Sequence, residues 1–293
     1  ISFTPIKTNG WVKSVNITIS ATLKIGENLT ALSYKISNGT TGNGTISNNT
    51  GTASITLNTT GTYTIEATGT GSYNNTKKES SGTYQVDATV PVVGAIGGNP
   101  TAWAKNATLT STITDSQSGV THYMWTTSST KPAASATGWT SVGTTTASYA
   151  FSKTITANGT YYLWAKDAVG RVSASKSVVV SKIDVTTPTI TSSYTSTAYS
   201  ITEKTSKAVS TLYKATFGGM GGSVTCKNGT TTVTNLNTLA VGTHTLTCTA
   251  TGKNGKAASV KPKVTVKAAG ISGSDLADKD NLLYVSGNGD VFE

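Results

Sequence analysis

The residues of this chain that could do chemistry are few and scattered. Thirteen carboxylates and two histidines are spread over 293 residues, and no serine elbow, zinc-protease helix, phosphate loop or dinucleotide fingerprint is present. The closest group of acidic residues is Asp275, Asp278 and Asp280, which lacks the alternate spacing and the glycine of a calcium loop. We therefore expect a protein that is not an enzyme and that carries no metal and no cofactor.

The two cysteines offer one further possibility. Cys226 and Cys248 each occupy the apolar phase of an alternating run, beside Val224 and Leu246 respectively. A zinc site is disfavoured, because no CxxC pair occurs and the histidines are only two. A disulfide and two buried free thiols remain as alternatives, and a disulfide would indicate an oxidising, extracytoplasmic setting.

The most aromatic stretch is GTYYLWAKD, residues 159–167. Read as a strand with a period of two, it places Tyr161 and Leu163 on the buried face and Tyr162 and Trp164 on the face toward solvent. We therefore expect Trp164 to be exposed, and a Trp164→Ala change to leave stability nearly intact.

Aromatic residues are also the best candidates for binding. If Trp125 or Trp139 lies on a neighbouring strand, it would extend Tyr162 and Trp164 into a flat apolar surface, here called the aromatic platform. Such a surface can stack on a sugar ring or dock a partner protein. The alternative is that one or two of the tryptophans fill the core and the others cover a hinge between domains.

The elements that must position these residues are strands. The chain is 12% charged and 36% hydrophobic, and short alternating runs between Gly, Asn and Asp stand in place of helical periodicity. Its many threonines suit a half-exposed pleated surface. The prediction is an all-β fold, and since no run of 18 apolar residues occurs, no membrane insertion.

Internal similarity predicts tandem domains. GTYTIEATGTG from Gly61, GTYYLWAKDAVG from Gly159 and GTHTLTCTATGKNG from Gly242 share one pattern, and VDATVP (86–91) matches IDVTTP (183–188). A repeat of about one hundred residues is long enough for a domain with its own core. The predicted segments are a first sandwich over 1–90, an aromatic-rich second over 91–187, a third over 188–268 and an acidic tail over 269–293.

Within each repeat, several short strands separated by turn residues predict an antiparallel sandwich of immunoglobulin type. The Tyr-x-Leu spacing after Gly-Thr resembles the tyrosine corner of such sandwiches, in which a Tyr hydroxyl binds the loop before its strand. Gly170 in the DAVGR turn is expected to have a positive φ.

The stretch YYLWAKDAVGRVS resembles bacterial immunoglobulin-like repeats of large secreted and cell-surface proteins, which close a domain with W-x-K-D-x-x-G-N-x-S and open the next with D-x-T-x-P. The third unit, with GTHTLTCTATGKNG, resembles the hyalin-repeat branch, and that resemblance implies a Cys226–Cys248 bridge. Two departures are notable: Arg171 stands where Asn is usual, and Gly252-Lys253 replaces the usual acidic position.

The charge is uneven. By the predicted segments the net charge is +2, +4, +8 and −4, which sums to the overall +10. The basic third segment could attract anionic partners, but its lysines lack interleaved aromatics, so we expect no nucleic-acid partner and favour a role in solubility.

The tail differs from everything before it. We expect strands over 282–286 and 290–292 around a Gly-Asn-Gly turn. They would pair along a sheet edge of the third sandwich or of a second molecule, giving self-association, or would begin a truncated fourth domain.

Together these features predict a non-enzymatic, extracellular stalk or adhesive segment of a bacterial surface protein, with a glycan or a neighbouring surface protein as candidate partner. The alternatives are a carbohydrate-binding accessory region of a secreted hydrolase and an immunoglobulin-like component of a phage tail or capsid.

Overall fold

The computed structural model describes residues 1–24, 26–270, 284–285 and 291–292. Its chain forms two compact units, one of residues 1–99 with 107–181 and one of residues 100–106 with the chain from Lys182. The predicted all-β fold class is confirmed, because strands in largely antiparallel sheets make up both units.

The first half of unit 1 contains eleven strands. They are β1 (Ser2–Thr4), β2 (Trp11–Val12), β3 (Val15–Thr22), β4 (Leu29–Ile36), β5 (Thr41–Asn43), β6 (Thr45–Ser47), β7 (Thr50–Leu57), β8 (Gly61–Tyr63), β9 (Ile65–Gly71), β10 (Thr76–Ser80) and β11 (Tyr84–Val86). One sheet has the order β1-β3-β7-β6, a second β10-β9-β4-β5, and β2-β11-β8 form a small third.

These sheets enclose one core. Ile17 and Ile19 alternate with exposed residues along β3, and they share a hydrophobic cluster with Leu32 of β4 and Ile65 of β9. The alternation explains how a chain with so few apolar residues folds: every second side chain suffices to fill one face. One departure from the antiparallel pattern is β2, which pairs in parallel with β11.

The second half of unit 1 forms another sandwich. Its strands are β12 (Val92–Val93), β13 (Ala107–Thr114), β14 (Val120–Thr126), β15 (Thr140–Thr146), β16 (Ser148–Ile155), β17 (Gly159–Asp167) and β18 (Lys176–Val180). Sheet β12-β13-β16 and sheet β15-β14-β17-β18 pack around a separate core that includes Ile113, Val120, Phe151 and Leu163. Unit 1 therefore contains two sandwiches, called here the first and the second.

Unit 2 carries the third core. Its strands are β19 (Thr189–Ser192), β20 (Ala198–Thr202), β21 (Tyr213–Thr216), β22 (Gly222–Asn228), β23 (Thr231–Thr232), β24 (Gly242–Gly252), β25 (Ala257–Val260) and β26 (Lys263–Lys267), with a short helix α1 (Val209–Leu212) before β21. β19 pairs with β21, while the order β20-β26-β24-β22-β23, with β25 also on β24, forms the main sheet. Between these two sheets, Leu212 and Tyr213 share a hydrophobic cluster with Leu246 and Val264.

The predicted corner contact recurs in all three sandwiches. The Tyr63 hydroxyl donates to the carbonyl of Thr59 at 2.9 Å, and the Tyr161 hydroxyl donates to Ala157 at 2.8 Å. In unit 2, Nε2 of His244 takes the same place, 2.7 Å from the carbonyl of Ala240. Each side chain reaches four residues back, so it fixes the loop that enters the penultimate long strand of its sandwich.

A disulfide joins Cys226 and Cys248, as predicted. The two residues lie directly opposite one another on β22 and β24, and both are buried in the unit 2 core. The bridge therefore links neighbouring strands of one sheet, whereas the bridge of antibody domains joins two sheets.

The C-terminal hairpin is confirmed in the four residues that are described there. β27 (Tyr284–Val285) pairs antiparallel with β28 (Val291–Phe292), and among the described residues they pair only with each other. The remainder of 271–293 lies outside the described residues, and self-association through the tail stays a prediction.

The bridge should contribute measurably to stability. It closes a segment with a sequence separation of 22, and in the chain-entropy model its loss by the paired changes Cys226→Ala and Cys248→Ala lowers the free energy of unfolding by roughly 3 kcal/mol. Chemical denaturation of wild type and double variant measures the difference. Two thiols that alkylate in the native, unreduced protein would show that the bridge does not form.

Candidate functional site

The structure separates the aromatic residues that the sequence grouped. On the inner face of sheet β15-β14-β17-β18, the Trp125 ring stacks on Phe151 and on Tyr161, with centroids 5.3 Å apart in both pairs. Trp125 lies on β14, next to β17 as expected, but its side chain points to the opposite face from Tyr162. It supports the core of the second sandwich and not an outer surface.

Trp164 is where the prediction fails. Strand alternation does place it on the outer face, since Leu163 and Ala165 occupy the core, yet only 4% of Trp164 is exposed. The long segment 127–139 between β14 and β15 contacts the same face two residues further along β17, where Nζ of Lys166 donates to the carbonyl of Ala134. The register was predicted correctly, but the expectation of a solvent-facing Trp164 is wrong.

Trp139 comes from that segment. Its indole N–H donates to the carbonyl of Ala133, and its ring lies 5.0 Å from Nζ of Lys166, which also donates to the carbonyl of Ala134. These contacts fasten the segment to β17. Tyr162 and Tyr161 are only half-buried, so the four residues Tyr162, Trp164, Trp125 and Trp139 do not form one exposed platform.

A second group of residues, which sequence reasoning missed, lies at the end of the second sandwich that meets the first. Asp87 follows β11, Asp115 follows β13, and Asp167 ends β17. One carboxylate oxygen from each lies within 4.8 Å of the others, and all three residues are buried. We call Asp87, Asp115 and Asp167 the carboxylate cluster.

Local turns hold two members in place. Oδ1 of Asp115 accepts from the backbone N–H groups of Gln117 and Gly119, at 3.1 and 2.8 Å. Oδ2 of Asp87 accepts from the backbone N–H and the hydroxyl of Ser118, at 3.1 and 2.6 Å. Oδ1 of Asp87 accepts hydrogen bonds from the backbone N–H and the hydroxyl of Thr89, at 3.0 and 2.6 Å.

These bonds decide the charge on Asp87. Burial alone would raise the pKa of its carboxyl, but the hydrogen bonds from Ser118 and Thr89 together hold that pKa below its ordinary value. Asp87 is therefore an anion at neutral pH.

The pKa of the Asp167 carboxyl shifts in the opposite direction. Oδ1 accepts from the backbone N–H of Arg171 at 2.7 Å, while the buried Oδ2 has no hydrogen-bond partner among the described residues. Burial, and after it the charges of Asp87 and Asp115, raise the pKa of Asp167 to about 6, although the Arg171 bond acts the other way. Three buried acids therefore share a site in which Oδ2 of Asp167 has no hydrogen-bond partner among the described residues.

Arg171 links the two sandwiches of unit 1. It lies in the turn after β17, where Gly170 has the predicted positive φ, +79°. Its Nε donates to the carbonyl of Asp87 at 2.9 Å and its Nη2 to the carbonyl of Lys13 at 3.1 Å. The departure from the usual Asn is thus explained, because a longer side chain reaches two backbone oxygens of the first sandwich.

Unit 2 contains a related site around Asp184. Asp184 donates its N–H to the carbonyl of Ala104, as Asp87 does to Val12. Its Oδ2 accepts from the N–H of Met220 at 3.0 Å, and hydrogen bonds lower the pKa of its carboxyl. The buried amide of Asn254 donates to Oδ1 at 3.2 Å. We call this the Asp184 site.

The acidic member that corresponds to Asp167 is missing there. Gly252 donates its N–H to the carbonyl of Lys256, as Asp167 does to Arg171, so Gly252 occupies the position of Asp167. Asn254, two residues later in the same turn, donates its side-chain N–H to the backbone carbonyl of Asp184. The two sites have one backbone frame and different side chains.

A signal for the carboxylate cluster was present in the sequence. The only acids between residues 91 and 187 are Asp115, Asp167 and Asp184, and every one is buried. Because acids are so few in this chain, those in turns and those in the two D-x-T linkers could have been considered together as one candidate site. The earlier candidates, Asp275, Asp278 and Asp280, lie outside the described residues.

Comparisons with known proteins add little to this geometry. No family model matches the chain, and no curated protein matches it. The solved structures that are similar to the chain include the following three. A Ca²⁺-stabilized adhesin that helps an Antarctic bacterium bind ice is 16% identical, with 92% of this chain and 75% of that chain covered and a TM-score of 0.37. A 1.5-MDa bacterial ice-binding adhesin is 14% identical over 87% of this chain and 90% of that one, with a TM-score of 0.33.

The third is the fibronectin(III)-like modules of Clostridium thermocellum CbhA, 19% identical over 58% of this chain and 86% of that one, with a TM-score of 0.24. TM-scores this low carry no argument about function, so the site has to be interpreted from its own residues.

Burial of Trp164 leads to a clear expectation. Trp164→Ala should leave a cavity and lower the free energy of unfolding by about 3–5 kcal/mol. Tyr73→Ala is the matched control, since Tyr73 is 77% exposed and its loss should change stability by less than about 0.5 kcal/mol. Urea denaturation followed by circular dichroism measures both, and equal stability of the two variants would mean that Trp164 is not covered in solution.

Proposed function

We propose that this chain is a non-catalytic stalk segment of an extracellular bacterial surface protein, whose immunoglobulin-like sandwiches hold a partner-binding region away from the cell. The observation that carries the proposal is the fastened junction between the first and second sandwiches. A stalk has to transmit position and force from one domain to the next, which a loose linker cannot do.

Side chains of the second sandwich make this junction. The Ser118 N–H and hydroxyl bind the Asp87 carboxylate, and the Arg171 guanidinium binds the carbonyls of Asp87 and Lys13. Bonds to charged groups contribute more than neutral ones, about 1.5–3 kcal/mol each. The acceptors Asp87 and Lys13 lie next to the paired strands β2 and β11, so these contacts fasten the second sandwich to one edge of the first.

The extracellular setting rests on the disulfide. Bridges such as Cys226–Cys248 persist where the environment is oxidising. Among the described residues, no helix is long and apolar enough to cross a membrane.

A carbohydrate-binding accessory role is the weaker candidate. It was based on an exposed aromatic platform, and the burial of Trp164 with the inward position of Trp125 removes that basis. No residue group described above favours a phage component over a surface stalk, and the two share the same mechanical requirement.

Junction stiffness can be measured directly in the full chain. Spin labels on genetically encoded keto amino acids at the exposed positions Lys35 and Lys153 avoid the disulfide and report the distance between the sandwiches of unit 1. We expect one narrow distance distribution for the wild type. Arg171→Ala should broaden it, because two bonds across the junction are lost, while Lys176→Ala, an exposed lysine on β18, should leave it unchanged.

A broad distribution in the wild type would contradict a stalk role. A glycan array probed with the same protein separates the competing role: specific binding would support the accessory-region alternative, and its absence agrees with a spacer.

A further inference from the structure

We propose that the carboxylate cluster of Asp87, Asp115 and Asp167 binds one Ca²⁺ ion, whereas the Asp184 site is completed by Asn254 and binds none. The inference goes beyond the stalk role, because it assigns a ligand to one of two sites that have the same backbone frame.

The first argument is the lack of a compensating cation. Among the described residues the ion pairs are Lys77–Glu79 and Lys78–Glu66, both on the surface. Arg171 is near the cluster, but its guanidinium is directed at two carbonyl oxygens and only its backbone N–H contacts a cluster carboxylate. The charge of Arg171 therefore opposes the mutual repulsion of the three acids only in part. Buried anions that form no ion pair are costly, and buried charges are normally paired or bound to metal.

The second argument is the unsatisfied oxygen. Asp167 is 2% exposed, and its Oδ2 has no partner although donors surround the other acids. Asp87 shows that this part of the fold can supply four donors to a carboxylate. A cation in contact with one oxygen of each acid would satisfy the free Oδ2 of Asp167 and remove the repulsion among all three.

The Asp184 site provides the comparison within the same chain. Because Met220 binds Asp184 as Ser118 binds Asp87, the residue three before Met220, Phe217, takes the place of Asp115. Gly252 takes the place of Asp167. With both partner acids gone, a neutral amide is enough: Asn254 donates to Asp184 and to the carbonyl of Thr186 at 2.8 Å.

The chemistry of the donors selects the ion. Carboxylate oxygens suit hard cations, and Ca²⁺ binds them at 2.3–2.6 Å, so ligands on opposite sides of the ion lie about 4.6–5.2 Å apart. Mg²⁺, at 2.0–2.1 Å, allows at most about 4.2 Å. Oxygens within 4.8 Å of one another can reach one ion of either kind, so the choice rests on coordination: Ca²⁺ accepts irregular sets of carboxylate, carbonyl and water oxygens, whereas Mg²⁺ demands a near-ideal octahedron and keeps several waters. The ligands come from both sandwiches of unit 1, so the ion would add a further link across their junction.

Calcium chloride added to the chelator-treated full chain tests the proposal by titration calorimetry, with thermal unfolding in parallel. We expect one equivalent to bind, with a dissociation constant on the order of 10⁻⁴–10⁻³ M, the range of extracellular modules, and to raise the melting temperature. Magnesium chloride at the same concentrations should bind at least about tenfold more weakly.

Two isosteric variants test which of the two sites binds the ion. Asp167→Asn should weaken Ca²⁺ binding more than about tenfold and, in chelator, should melt no lower than the wild type because a buried repulsion is removed. Asp184→Asn removes the same charge from the other site and should leave Ca²⁺ affinity within about twofold of wild type.

The proposal is wrong if the wild type takes up no Ca²⁺ at about ten times the weakest expected dissociation constant. It is equally wrong if Asp167→Asn binds as well as the wild type, or if Asp184→Asn abolishes binding. None of these results changes the Arg171 contacts on which the stalk proposal rests.

Discussion

A carboxylate that leaves water must find donors or a cation, and this requirement shapes the chain wherever one sandwich ends. Asp87 and Asp184 each follow the last strand of a repeat. Each carboxylate accepts a hydrogen bond from a backbone N–H group, of Ser118 or Met220 respectively, in a turn that is far away in sequence. Because the buried anion would otherwise be costly, those turns have to dock in one place. Each acid thus fixes its own chain segment against the turn that binds it.

The two sites satisfy the same requirement in different ways. Around Asp184 the solution is neutral: backbone donors and the Asn254 amide complete the hydrogen bonds within the chain itself. Around Asp87 two further acids, Asp115 and Asp167, increase the negative charge, so the chain by itself leaves an oxygen unsatisfied. A repeat architecture with one backbone frame can in this way hold an inert site and a responsive one, through changes at two or three positions.

Much of the fold could be predicted from the sequence because it depends on local periodicity. Alternation alone placed Leu163 and Ala165 in the core, and the recurring Gly-Thr-Tyr pattern located the corner contact of Tyr63. Alternation says which face a side chain takes, but not what covers that face. Trp164 was therefore assigned to solvent, since nothing in the local sequence shows that this position is covered.

The carboxylate cluster shows the other limit. Its members are separated by 28 and 52 residues, and they meet only because the two sheets of the second sandwich pack together and Ser118 binds Asp87 of the first. Sequence proximity had favoured the acids of the tail instead. The sequence did show that acids are scarce, since residues 91–187 contain only Asp115, Asp167 and Asp184, but it did not show that all three are buried.

The disulfide has a consequence for the chain under tension. If the ends of unit 2 were pulled apart until its sheets separated, the segment between Cys226 and Cys248 could not be drawn out, because the covalent bridge carries the load past it. With 22 residues of separation and about 3.3–3.6 Å of contour per residue, roughly 75 Å of slack stays locked in the loop. The extended length of the domain is limited accordingly, and after the load is removed β22 and β24 are still held side by side, ready to pair again.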